Sequence, residues 1–336
     1  GSVIGMRRST AAFDRFMPKG AAKTLVYYWA LGYKAGALRY MGRKAESAYF
    51  FAQVFANCPT NRESAFLSWS IKTAEEWDQA FALCRTNAEK VGLHALRGIS
   101  LENDAISEIE NIYSIDPKSE FLELLMLREI SKAEMALLGR SSMLQYRSYA
   151  DFKWKERSFS VQIMDRLGKI SDRFASEGKV EKPYLWKLAS GYTEFLRGSL
   201  NQAATAFAAT DAMIEAQKRQ IQASTKLKDW ENWDDNYVPY SLGKKDKEIY
   251  SGLLNSSQQL KLLKVALHVR SLRSITDKDE TEIFSMMADN RSSYIWGDSK
   301  SGLLEYILDD MSKKYYEQKD LAKAYGNVKA VKGISF

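Results

Sequence analysis

An all-α fold is predicted for this chain by three observations. Apolar residues recur at intervals of three and four through most of its length, the spacing that lines one face of a helix. Only 5 prolines occur in 336 residues, which argues for long helices and few irregular loops. The stretch Leu31 to Pro59 reads as two amphipathic helices joined by a tight turn at Met41-Gly42-Arg43 and closed by a proline.

Each part of that stretch has a physical reason. Leu31, Ala35 and Leu38 share one helical face. Gly42 can take the left-handed conformation that ends a helix without steric penalty. Ser47, Phe51, Val54 and Phe55 resume the helical spacing, and Pro59 cannot continue it. So short a connection forces the two helices to pack antiparallel. Small residues at Ala35 and Ser47 let the backbones approach, and Phe51 is expected to fill the groove towards the next hairpin.

The intervals of Gly42, Ser47, Phe51, Val54 and Pro59 recur, residue for residue, in Ser100, Ala105, Ile109, Ile112 and Pro117. A third copy runs Gly198, Ala203, Phe207, Thr210, with Gly191 where the first has Ala35. A fourth is Lys319, Ala324, Val328, Val331, without a turn glycine or a closing proline. This pattern resembles the tetratricopeptide repeat, a helix-turn-helix unit of about 34 residues. The third copy departs from it at Glu194, where a large apolar residue is usual. The resemblance implies an irregular α-solenoid of antiparallel helix pairs. It spans residues 24–336 as a single domain after an N-terminal segment 1–23.

In order along the chain, the segment before Lys23 has weak periodicity, and Phe13, Phe16 and Met17 ahead of Pro18 suggest a short docking segment. From Thr24 to Tyr40 the helix is apolar nearly all round, so neighbours are expected on both sides. Thr60-Asn61-Arg62-Glu63 and Thr73-Ala74-Glu75-Glu76 read as capping boxes, and Asn87-Ala88-Glu89-Lys90 opens a further helix. Leu25 to Pro117 thus holds about six helices in three antiparallel pairs. Ser119 to Leu138 is one long helix. Gln145 to Phe159 mixes aromatics and charge as a surface loop or insert. Helical spacing resumes over Ser160–Ser176, after Pro183 as a first helical residue, over Ala203–Leu227, from Lys244 to Val269 and after Asp277. Asn290 to Gly297 reads as a turn, and a last hairpin runs from Gly302 to about Val331.

Composition adds bounds. The net charge of +7 comes from 49 basic against 42 acidic residues, a solvated mixed surface rather than a nucleic-acid footprint. No apolar run reaches the roughly 18 residues of a membrane span. Cys58 and Cys84 read as small buried hydrophobes, with a disulfide between them as the alternative. Gly1-Ser2 reads as an expression remnant, so the compartment stays open and a removed export signal is compatible with it.

Chemistry-bearing motifs are sparse. His94 and His268 are the only histidines, both within helical stretches and with no nucleophile or metal-ligand pattern around them. Glu75-Glu76 and Asp309-Asp310 point about 100° apart on a helix, which suits no shared proton. No catalytic, cofactor or metal site is expected. The one stretch that breaks the helical grammar is an aromatic and acidic insert at 229–242. Its Trp230, Trp233, Asp234, Asp235, Tyr237 and Tyr240 form the candidate binding surface, because tryptophan and tyrosine favour interface cores. Asn57, Asn87, Lys90 and Arg97 are polar helix residues that could line a groove. The function expected is a non-enzymatic protein–protein interaction scaffold that holds a partner protein or peptide. The alternative is an exported glycan-binding protein, of the kind known from bacterial surfaces, with an aromatic platform on its inserted loop.

Overall fold

The computed structural model describes residues 3–16, 23–99, 104–138, 157–224, 242–288 and 299–319. About 85% of them are helical and none is in a strand, so the fold is all-α. Chain contacts divide it into two compact units, Gly1–Arg128 and Glu129–Phe336.

The first unit holds α1 (Val3–Phe16), α2 (Leu25–Tyr40), α3 (Lys44–Asn57), a 3-10 turn (Pro59–Asn61), α4 (Arg62–Ser68), α5 (Ala74–Ala82), α6 (Asn87–Gly98) and α7 (Ile106–Ile115). The first turns of α8 (Glu120–Leu138) complete it. In the N-terminal segment Phe13, expected in a docking segment, lies on a full helix, α1. This helix packs on α2 through Phe13 against Tyr27, ring centroids 5.7 Å apart, and an Asp14–Lys34 ion pair at 2.5 Å.

The α2–α3 hairpin closes as its sequence requires. Gly42 sits at φ +79°. Its N–H donates to the Arg39 carbonyl and the Arg43 N–H to the Leu38 carbonyl, both at 3.0 Å. These two bonds satisfy carbonyls that the helix end leaves without partners. Thr24 caps the other end, its hydroxyl accepting from the Tyr27 N–H at 3.3 Å. Leu31, Ala35 and Leu38 of α2 and Ser47, Phe51 and Val54 of α3 are all buried. At the ends of α3 and α7 the residue before the proline plays one role. Cys58 N–H donates to the Val54 carbonyl at 2.9 Å and Asp116 N–H to the Ile112 carbonyl at 2.8 Å.

Between these hairpins, α4 and α5 each pack on α3, so the middle helices do not form the third antiparallel pair. Thr60 does not cap α4, which has no side-chain cap. Its hydroxyl instead accepts from Trp29 Nε1 at 3.3 Å. Thr73 caps α5. Thr86, one residue before the expected start, caps α6 in a complete capping box with Glu89. Helices α3 and α6 come close because Gly92 faces Ala56, where an added Cβ would lie 3.0 Å from the Ala56 Cβ. Cys58 and Cys84 are free thiols, the first buried.

The second unit holds the rest of α8 and then α9 (Arg157–Glu177), α10 (Pro183–Arg197), α11 (Leu200–Ser224), α12 (Lys244–Ser271), α13 (Asp277–Ala288) and α14 (Ser299–Glu317). Helix α10 lies against α9, α11 and α12, and α12 also packs on α11, α13 and α14. Pro183 occupies the first turn of α10. The α10–α11 turn repeats the first hairpin bond for bond. Gly198 has φ +88°, with Gly198 N–H to the Phe195 carbonyl at 3.0 Å and Ser199 N–H to the Glu194 carbonyl at 2.9 Å. Ala203, Phe207 and Thr210 are buried at 0% exposure, like their counterparts in the first two copies. Thr276, not Asp277, caps α13, exchanging bonds with Asp279. Of the loop or insert expected at Gln145–Phe159, Arg157, Ser158 and Phe159 instead open α9; the rest of it, the turn expected at Asn290–Gly297 and the fourth repeat copy beyond Lys319 lie outside the described residues.

A close approach between α10 and α11 is made at Gly191. A Cβ there would stand 2.7 Å from the Phe207 ring and 3.0 Å from the Ala206 Cβ, inside van der Waals contact. Gly191→Ala is therefore expected to destabilise the protein by about 1–3 kcal/mol, read by urea denaturation. Adding Phe207→Leu to Gly191→Ala should recover part of that loss. Strict additivity of the two substitutions would show that crowding is not the cause.

Candidate binding groove

The residues singled out in the insert, Trp230, Trp233, Asp234, Asp235, Tyr237 and Tyr240, lie outside the described residues. The described residues present a different aromatic surface, in the first unit. Helix α2 buries Leu31, Ala35 and Leu38 on one side. On another it carries Trp29, Tyr33 and Tyr40, which are 48%, 79% and 78% exposed. Gly32 and Gly36 sit between them, one turn apart, so no side chain fills the space over the helix backbone. The nearest atom to a Cβ at Gly32 would be Val54 Cγ2 at 4.0 Å, and a Cβ at Gly36 would meet nothing within 4 Å. Ser64 and Ser68 of α4 form the facing wall. The result is a groove of about 640 Å³.

The groove is held open by its surroundings. Trp29 is steadied by its bond to Thr60. Arg39 reaches across to α4 and donates to the Ser68 carbonyl at 2.7 Å, fixing the distance between the walls. The lining has no carboxylate and no lysine. Chemically the site offers aromatic faces, the hydroxyls of Ser64, Ser68, Tyr33 and Tyr40, the Asn61 amide and an uncovered stretch of helix backbone, which suits a polypeptide surface more than a charged small molecule.

Two of the polar residues expected to line a groove, Asn57 and Arg97, are engaged within the fold. Asn57 donates to the Gln53 carbonyl of its own helix at 2.9 Å. Arg97 lies 3.3 Å above the Trp77 ring and pairs with Glu108 at 2.5 Å. His94 is buried, its Nδ1 2.6 Å from the other Glu108 oxygen, between the rings of Trp77 and Phe81 at 5.4 Å each. This cluster ties α5, α6 and α7 together, with one buried carboxylate serving two partners. Nearby, Tyr49 donates to Glu89 at 3.1 Å. Burial, then the Glu89 charge, raises the Tyr49 phenol above its usual value. Burial likewise pushes the Cys84 thiol up to about 11, so it stays protonated and weakly nucleophilic at neutral pH.

The second unit has a groove of about 520 Å³ bordered by α9, α10 and α11. With Gly42 and Gly198 in register, the buried Leu31 and Leu38 of the first hairpin fall on Lys187 and Glu194 here. These charges are paired with neighbours: Lys187 with Asp172 at 2.5 Å, Glu194 with Arg197 at 2.9 Å, and Arg197 with Asp165 at 3.0 Å. The apolar face of α10 is turned by one residue, to Phe195 rather than Glu194, because α12 and α14 cover that side. Arg270 of α12 donates to the Phe195 carbonyl at 2.9 Å, and Tyr306 of α14 meets the Phe195 ring at 6.0 Å.

Among the described residues no helix is long and apolar enough to cross a membrane. Comparison with protein-family models, with curated proteins and with solved structures returned no match.

The aromatic stripe was detectable in the sequence from Trp29, Tyr33 and Tyr40 interleaved with Gly32 and Gly36. Reading the helix as apolar all round concealed it. The buried cluster gives a direct test of the scaffold beneath. Glu108→Ala leaves His94 and Arg97 facing an unpaired site and is expected to cost about 3 kcal/mol of stability, measured by chemical denaturation. A loss under about 0.5 kcal/mol would mean the cluster contributes little to holding α5, α6 and α7 together.

Proposed function

We propose that this protein is a tetratricopeptide-like helical-repeat scaffold that binds a partner protein through the α2–α4 groove. The observation that carries the reading is the exposed row Trp29, Tyr33 and Tyr40 flanking an unfilled glycine floor. Aromatic residues dominate the energetic centres of protein interfaces, since they bury large areas with few rotatable bonds. Isolated exposed aromatics are ordinary, but three on one helical face bordering a groove of this size are a surface awaiting cover. Three copies of one hairpin spacing, two of them closed by identical glycine turns, support the repeat architecture. Stacked hairpins commonly present such surfaces to partners. The glycan-binding reading rests on the irregular repeat spacing and on an insert whose aromatic residues lie outside the described residues.

A photo-crosslinking residue in place of Tyr33 should yield a covalent adduct with a polypeptide when the full chain is irradiated in its native cells. Trp29→Ala with Tyr40→Ala should abolish the adduct while the melting temperature moves by no more than a few degrees. An adduct that survives both substitutions, or one with carbohydrate only, would overturn the assignment. Gly36→Ala should raise stability by about 0.5–1 kcal/mol through helix propensity, because its Cβ meets open space. The same change should weaken capture of the partner by intruding on the groove floor.

A further inference from the structure

We infer that the occupant of the α2–α4 groove is an amphipathic α-helix of the partner, presenting two large aliphatic or aromatic side chains one turn apart that fill the gaps over Gly32 and Gly36. The inference rests on the reading of this groove as a protein-binding surface and adds what the surface recognises.

The argument comes from the protein's own second copy of the hairpin. With the turn glycines in register, Gly32, Tyr33, Gly36 and Tyr40 of α2 fall on Leu188, Ala189, Tyr192 and Leu196 of α10. That face of α10 is covered by helices. Leu188, Ala189 and Leu196 are 4%, 4% and 1% exposed. Tyr192 donates to Glu134 of α8 at 2.6 Å, and the adjacent Phe195 is met by Arg270 of α12 and Tyr306 of α14. The same hairpin geometry therefore takes helices on this face when it is filled.

On α2 the chemistry is inverted. Where α10 supplies the large side chains Leu188 and Tyr192 itself, α2 has glycines, and the aromatics have moved to the flanks. A facing helix must then bring the bulk. Side chains separated by one turn on a helix are about 6 Å apart along its axis, the spacing of Gly32 and Gly36. A helix packed along α2 places two such residues over the two gaps in one register, with Tyr33 and Tyr40 along one side and α4 along the other. An extended segment places alternate side chains about 6.6–7 Å apart on one face and brings its own unpaired main-chain N–H and C=O groups. The groove would have to satisfy these with the hydroxyls of Ser64, Ser68, Tyr33 and Tyr40 and the Asn61 amide, none of them a regular main-chain ladder. A helix satisfies its main chain internally.

The test uses the full chain and two display libraries. One is an 18-residue Glu/Lys-rich helical peptide randomised at four positions of one face, and the other is nine-residue peptides with a central proline. The decisive variant is Gly32→Leu with Gly36→Tyr. It installs the residues found at the equivalent positions of α10, and circular dichroism and thermal melting check the fold. Selection should enrich helical clones with Leu, Ile, Met or Phe at two positions four apart. These should bind the unmodified protein at least tenfold more tightly than the Gly32→Leu/Gly36→Tyr variant, and lose binding when either large residue is changed to alanine. Clones that depend on Tyr33 but come only from the proline library would overturn the helical occupant and leave the protein-binding reading standing. Helical clones indifferent to Gly32→Leu/Gly36→Tyr would also overturn it. If no clone from either library depends on Tyr33, both readings fail.

Discussion

Close approach between helices, made possible by missing side chains, is the constraint on which this structure depends. Ala35 in the first hairpin, Gly92 between α3 and α6, and Gly191 in the α10–α11 hairpin each stand where a larger residue would push two backbones apart. At Gly191 even one methyl group would overlap the Phe207 ring. Large apolar residues on the facing helix, such as Phe51 and Phe207, lie in the space so created and are buried. Small on one helix and large on the other is how a core reaches crystal-like density without voids. The glycine-closed turns after Arg39 and Phe195 then fix how the paired helices enter that contact.

The same device appears at the surface with the opposite outcome. Gly32 and Gly36 are small residues with no large partner across from them. Inside a core such a vacancy would cost stability, because cavity walls lose their dispersion contacts. On α2 it opens to solvent between two exposed tyrosines. A helix that accepts the low helical propensity of glycine twice in five residues, and exposes aromatics beside both, sets local stability against an unfilled contact. Departures of this sort from otherwise consistent folding rules tend to mark functional surfaces.

Polar groups follow a separate logic in the two units. In the first, Glu108 is buried and satisfied by His94 and Arg97, and Arg97 is further flattened on Trp77, so the cluster orders three helices. In the second, Lys187, Glu194 and Arg197 are half-exposed and neutralise one another or nearby aspartates. Their ion pairs are worth little in stability at such exposure. They keep the α9–α11 side of α10 hydrated while its other side is sealed by α12 and α14.

Much of the fold was legible in the residues. The period of three and four, the turn glycines, the Thr73 cap, Pro183 at the start of its helix and the long helix after Ser119 are local signals, and local backbone energetics decides them. The repeat intervals also located buried positions, since Ser47, Phe51, Val54, Ala105, Ile109, Ile112, Ala203, Phe207 and Thr210 are all in the core. Thr60 was misread because its hydroxyl found Trp29, thirty-one residues away, instead of the adjacent helix end. Asn57 and Arg97 were read as groove residues from polarity, which says nothing about which flank of a helix stays open.

Sequence alone therefore determined that the chain is helical, where several helices start and stop, and that at least two hairpins share one design, since hydrogen bonding and steric limits within a few residues settle those matters. Tertiary structure decided which flank of each helix is covered. Helix α2 and helix α10 are built on the same spacing, yet one shows its tyrosines to solvent and the other buries the equivalent face under α12 and α14. That difference comes from helices distant in the chain, whose burial of apolar area no local pattern on α2 or α10 can specify.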